Sequence, residues 1–120
     1  MSAATYNIKI EQGATFKLYI LWKAKEPQTP IDLTGFKARM QVRRNYASTE
    51  PWMTLTSDDG EILLGGVEGT VEVTGSAAKT SLVPNRDGVY DIELYRPLDG
   101  FVRRLLQGEV VVSPEVTRYE

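Results

Sequence analysis

The most regular stretch of the chain is Gly88 to Arg96. Tyr90, Ile92 and Leu94 fall on one side of an extended backbone, and Asp91, Glu93 and Tyr95 fall on the other. A period of two predicts a half-buried strand. Upstream, Phe36, Ala38, Met40 and Val42 alternate with Lys37, Arg39, Gln41 and Arg43 in the same way. One strand thus carries an acidic outer row and the other a basic one, each over an apolar inner row. Lys37, Arg39 and Arg43 are therefore expected to neighbour Asp91 and Glu93, as cross-strand charge pairs.

Similar alternation predicts strands over Tyr6 to Ile10 and Thr15 to Trp22, with the Gln12-Gly13 turn between them. In the second, Phe16, Leu18, Ile20 and Trp22 face the core, and Trp22 is expected inside it. The other side holds Lys17, Tyr19 and Leu21, less polar than an open face, so a loop or another chain is expected to cover it. Lys23 to Pro30 reads as a surface loop. In Ile31 to Gly35, Asp32 or Thr34 can bond backbone amides and Gly35 can take positive φ. The third strand is Phe36 to Arg44, a loop follows over Asn45 to Pro51, and Trp52 to Leu55 resumes a short strand.

Ser57 to Gly60 reads as a hairpin turn built on Asp-Gly. Short strands follow at Glu61 to Leu64 and Thr70 to Thr74, separated by a link containing Gly65, Gly66 and Gly69. Ser76 to Val83 is the one helical candidate, with Ser76 as cap and Pro84 as stop. Arg96 to Gly100 turns a second hairpin into the longest strand, Phe101 to Ser113. There Gly108 predicts a bulge or bend. A bulge would let Leu105 or Leu106 face the core together with Val110 and Val112.

About seven or eight strands at roughly 8–12-residue spacing predict an all-β fold. The expected form is an immunoglobulin-like antiparallel β-sandwich with one short helical turn near residues 76–83. The 120 residues are one domain's worth, so a single domain over 1–120 is expected. A chain of 13.4 kDa buries roughly two-thirds of its unfolded surface, enough for a core without staples.

Composition narrows the chemistry. The chain has neither histidine nor cysteine, which excludes Ser-His-Asp and Cys-His nucleophile sets, disulfides and the usual zinc ligands. A carboxylate pair remains, and Asp91 and Glu93 share a strand face ~7 Å apart; the favoured reading is a solvated row paired with the basic strand. Asp58-Asp59-Gly60-Glu61 lacks the spaced ligands of a calcium loop and reads as a turn. Gly65, Gly66 and Gly69 are not followed by Lys-Ser/Thr, so there is no P-loop. No catalytic residue, metal site or cofactor is expected, and no small-molecule substrate. The net charge of -2 argues against bulk nucleic-acid binding, and Lys37, Arg39, Arg43 and Arg44 lack interleaved aromatics. No signal peptide is expected, and no apolar run approaches the ~18 residues of a membrane span. Synthesis in the cytoplasm, without a membrane partner, is the expectation.

The segments Ile10-Glu-Gln-Gly-Ala-Thr-Phe16, Trp22 and Pro30-Ile-Asp-Leu-Thr-Gly-Phe-Lys-Ala-Arg-Met-Gln-Val-Arg43 carry a resemblance that spans most of the chain. Gly69-Thr-Val-Glu-Val, Gly88-Val-Tyr-Asp-Ile-Glu-Leu and Gly108-Glu-Val-Val-Val-Ser-Pro-Glu-Val-Thr-Arg118 continue it. The sequence resembles small immunoglobulin-like structural proteins of tailed bacteriophages and prophages, and its N-terminal half is similar to N-terminal domains of tail baseplate proteins. The resemblance implies a non-enzymatic virion protein of the tail, neck or capsid surface. It also implies contacts with other virion proteins and repeated or homo-oligomeric copies, and it brings no catalytic residues. The inter-sheet cysteine pair of antibody domains is missing.

Candidate partner contacts follow from apolar groups that the inner rows do not use: Tyr19 and Leu21, with Tyr46, Trp52 and Met53 from the Asn45–Met53 loop. Aromatics and methionine are enriched at interface centres. The competing expectation is that this loop folds back over Tyr19 and Leu21 within one chain. An alternative function is a carbohydrate- or host-surface-binding module in which Trp52 and Tyr46 form a sugar platform.

Overall fold

The computed structural model describes residues 3–24 and 29–117. The strands are β1 (Ala4–Thr5), β2 (Ile8–Glu11), β3 (Phe16–Leu21), β4 (Lys37–Arg43), β5 (Met53–Thr56), β6 (Ile62–Leu64), β7 (Thr70–Gly75), β8 (Gly88–Arg96) and β9 (Phe101–Ser113). A 3-10 turn spans Gly66–Glu68, and among the described residues one α-helix, α1, spans Ala77–Thr80. The larger sheet runs β1-β9-β8-β4-β5, with β2 also on β9, and the smaller runs β3-β7-β6. The fold is an all-β sandwich. β1 and β2 run parallel to β9, whereas the other strand pairings among the described residues are antiparallel. The expected first strand is divided in two at Tyr6 and Asn7, which raises the strand count above the expected seven or eight.

The two regular strands are neighbours, as their patterns suggested: β4 and β8 pair antiparallel with Arg39 opposite Glu93 and Met40 opposite Ile92. Their inner rows, Ala38, Met40, Val42 and Ile92, Leu94, are fully buried. Facing them from the smaller sheet are Phe16, Ile62, Val71 and Val73, and Leu33 and Val83 from the connections close the ends. Complete burial of such a side chain contributes about 1.5–3 kcal/mol, so these rows set the register.

The helix forms for the local reasons expected. The Ser76 hydroxyl accepts from the Lys79 amide at 3.2 Å, an N-cap. Its one buried polar residue, Thr80, donates its hydroxyl to the Ala14 carbonyl at 2.8 Å, so burial leaves no polar group unpaired. Before β4, Asp32 accepts from the Thr34 amide at 2.9 Å, and Gly35 has φ of 85°.

Four expectations are corrected. Ser57 to Gly60 is a tight turn, with Gly60 N–H bonded to Ser57 O at 3.1 Å, yet it is not a hairpin. It passes the chain from β5 in the larger sheet to β6 in the smaller. The bulge in β9 lies at Leu105: Ile92 pairs with Leu106 and Glu93 with Arg104, leaving Leu105 as the extra residue. Both Leu105 and Leu106 are thereby buried. Gly108 has a different cause, because a β-carbon there would stand 2.3 Å from the Tyr6 carbonyl oxygen. Trp22 is half-buried rather than interior: it packs on the edge of the core, with the Arg103 guanidinium 5.0 Å above its ring. Of the Lys23–Pro30 loop, residues 25–28 lie outside the described residues, and Lys23 and Pro30 form an antiparallel bridge.

Candidate interaction surfaces

Three surfaces remain once the core is assigned. The first is the outer face of the smaller sheet. Register places Tyr19 opposite Glu72, and Glu72 opposite Leu63; Leu21 lies two positions further along β3. Tyr19 is 63% exposed, Leu63 57% and Leu21 47%. This cross-strand row is mainly apolar and open to solvent. Leu63 escaped the sequence reading because only the pairing of β6 with β7 brings it beside Tyr19.

The second is the outer face of the larger sheet, where the charge rows meet. Arg39 Nε donates to Glu93 at 2.9 Å and its guanidinium lies 4.4 Å above the Tyr95 ring. The other expected pairs form with different partners. Lys37 bonds Asp58 at 3.0 Å, and Arg43 donates to the Ser48 carbonyl at 2.6 Å and to Gln41 at 2.8 Å. Asp91 takes Arg104 from β9 at 3.4 Å. The cause is register, since Asp91 stands opposite Gln41 and Lys37 opposite Tyr95. Burial, then the Glu93 charge, push the Asp91 carboxyl above its ordinary range, against the pull of Arg104, Arg43 and Arg39. The Asp58 to Glu61 carboxylates serve the turn: Asp58 holds Lys37, and Glu61 holds Lys79 at 2.6 Å. A hollow of about 470 Å³ opens on this face beside Tyr46, Asp91 and Arg104.

The third surface is a groove of about 980 Å³ along one side of the sandwich, between β3 and the start of β9. At its end Phe36 and Phe101 pack edge to face at 6.1 Å, with Arg96 5.1 Å from one ring and 5.2 Å from the other. Sequence spacing could not reveal this cluster, whose members come from the β4 entry and the β8–β9 hairpin.

The five candidate contact residues are not brought together. Tyr19 and Leu21 lie on the smaller sheet. Tyr46 is 94% exposed and lines the hollow on the opposite sheet, so its loop does not cap Tyr19 and Leu21. Trp52 is half-buried against the core and lies over Gly88. Met53 is a correction: it faces inward on β5, 4% exposed, because the strand period puts it with Leu55 rather than with the loop.

No family model matches the sequence, and no curated protein matches it. Among solved structures, the chain is similar to the N-terminal domain of phage TP901-1 ORF48, at a TM-score of 0.52 and 10% identity. The match covers 94% of this chain and 99% of that one. What the two have in common is the fold.

Proposed function

We propose that the chain is a non-enzymatic structural component of a tailed-phage particle, acting through contacts with other virion proteins. The observation that carries this reading is the near-complete superposition on a phage domain, 94% of one chain on 99% of the other. The strand order supports the immunoglobulin-like reading. A larger sheet of β2-β9-β8-β4-β5 over β3-β7-β6 corresponds to strands A′-G-F-C-C′ over B-E-D of that fold. The exposed row of Leu21, Tyr19 and Leu63 supports contact with a neighbour, since aromatic and aliphatic anchors concentrate binding energy. A specific interface needs at least ~1,000 Å² of total burial, so this row would form the centre of a wider contact.

Charge substitution on that row tests the reading. A Tyr19→Lys, Leu63→Lys double variant should melt close to the parent, because both side chains are solvent-exposed and the two lysines would flank Glu72, but should be lost from particles assembled in competition with the parent. Full incorporation of the variant would remove this face from the assembly.

A further inference from the structure

Register lines up one row of polar side chains across the outer face of the larger sheet. Thr5 stands opposite Gln107, Gln107 opposite Asp91, Asp91 opposite Gln41, and Gln41 opposite Thr54. The hollow of about 470 Å³ opens over this row, with Arg43, Tyr46 and Val89 also lining it. A volume of that size falls within the range of small-molecule sites. Asp91, in the middle of the row, lies two strands in from β1, about 10 Å at the usual strand spacing.

Internal hydrogen bonds fix what the hollow offers to a ligand. Arg43 donates to Gln41 Oε1 at 2.8 Å, and Arg104 donates to Gln107 Oε1 at 3.1 Å. With both carbonyl ends taken, the two amides present N–H groups, one of which reaches Thr54 at 3.4 Å. Between them, the Asp91 carboxylate is held by Arg104 at 3.4 Å, too long for a strong hydrogen bond. Its side chain is only 38% exposed, so part of its water shell is gone, a loss that a bound donor restores. Three adjacent strands therefore present donor, acceptor and donor, each one spacing of ≈ 4.8 Å from the next. Charge balances, since Arg43 and Arg104 face Asp91 and Glu109. Tyr46 stands at the rim, 94% exposed, on a turn that Asn45 and Ser48 clasp with two bonds of 3.1 Å. The Ser48 carbonyl accepts from Arg43 at 2.6 Å, which ties that turn to the sheet.

We infer that this hollow binds a neutral saccharide. A hydroxyl both donates and accepts, so neighbouring sugar hydroxyls donate to Asp91 while accepting from Gln41 and Gln107. A sugar ring is about as wide as one strand spacing, and consecutive rings follow the row from β9 to β4. The C–H face of a sugar needs an apolar contact, which Val89 and the ring of Tyr46 provide. Balanced charge selects against ionic ligands, and nucleic acid would need a positive field. Trp52 does not line the hollow, and Tyr46 acts without it. The inference is independent of residence in a particle, and the isolated chain tests it.

The probes are three neutral trisaccharides, maltotriose, cellotriose and chitotriose, titrated singly into the 15N-labelled full chain, with anionic 3′-sialyllactose beside them. At least one neutral probe should bind with a Kd of about 1–10 mM, the range of a shallow, solvated site. Shifts should concentrate at the backbone amides of Gln41, Asp91 and Gln107 and at the side-chain amides of the two glutamines. Asp91→Asn, which keeps the shape and removes the charged acceptor, should weaken binding about tenfold. Tyr46→Ala should weaken it about three- to tenfold, and both spectra away from the hollow should match the parent. Three results would overturn the inference: no shifts with any neutral probe at about 20 mM, binding that survives both substitutions unchanged, or tighter binding of sialyllactose than of every neutral probe. The last would mark the hollow as an anion site.

Discussion

Replacing Tyr90 by phenylalanine removes one hydroxyl from the centre of the larger sheet. Tyr90 faces inward on β8 and is 4% exposed. Its hydroxyl donates to the Tyr6 carbonyl, while the Tyr6 amide donates to the Gln107 carbonyl at 2.8 Å. Gly108 stands opposite Tyr90, and the β-carbon it lacks would collide with that same carbonyl. One hydroxyl thus ties the joint between β1 and β2 to the body of the sheet. A buried hydrogen bond is worth about 1 kcal/mol net. Tyr6 is 55% exposed, so water can reach part of the freed carbonyl, and the expected loss stays near ~1 kcal/mol. For a domain of this size that lowers Tm by roughly 3–6 °C. The pH dependence gives an independent readout. Burial, then the neighbouring Tyr6, push the Tyr90 phenol up to about 12. A raised pKa means that the folded state keeps the proton longer than the unfolded one. The contribution is therefore complete below pH ~10 and is lost as pH rises from there towards 12, at up to ~1.4 kcal/mol per pH unit. Urea melts of parent and Tyr90→Phe between pH 8 and 12 should converge above pH ~10 and then cross, because the parent's loss of up to ~1.4 kcal/mol per pH unit exceeds its ~1 kcal/mol advantage before pH 12 is reached. Parallel curves, or a variant within a degree of the parent at pH 7, would refute the buried hydroxyl and its bond to Tyr6.

Other substitutions separate the remaining assignments. Met53→Ala should cost about 2–5 kcal/mol in a urea melt as a core truncation, whereas Tyr46→Ala in the preceding loop should stay within about 0.5 kcal/mol; equal effects would contradict the division of that segment. Gly108→Ala forces a β-carbon onto the Tyr6 carbonyl, so about 1–3 kcal/mol should be lost, with faster hydrogen exchange in β1 and β2. A double-mutant cycle on Arg39 and Glu93 should give a coupling of about 0.2–1 kcal/mol that shrinks in high salt, and a null coupling at low salt would remove the pair from the sheet's energetics.

The elements that were legible in the sequence share one property. β4 and β8 alternate over many residues, and the whole of a long strand fixes its face even when single positions are ambiguous. The Ser76 cap and the Gly35 turn were legible because their partners lie within a few residues. What escaped depends on pairing between distant segments. The Asp58–Gly60 turn has hairpin chemistry, yet the strands on either side find better partners in β4 and β7, and nothing local announces that. Gly108 looked like a bulge because the signal of a missing side chain is the same for a bulge and for a close approach by another strand. Met53 was grouped with the loop before it because Trp52 and Pro51 are turn-like company, although its period belongs with Leu55. The candidate surfaces were legible only in part. Tyr19 and Leu21 stood out as apolar groups on an outer row, but their neighbour Leu63, and the groove that brings Arg103 over Trp22, follow from topology alone.

Whether the chain resides in a particle is the point on which the functional reading rests. Virions induced from the strain that encodes it, purified on a density gradient and analysed by quantitative mass spectrometry, measure this directly. Its peptides are expected to co-sediment with the other virion proteins at a constant ratio of several copies per particle. Recovery only in the soluble fraction, with none above background in infectious particles, would contradict a structural role.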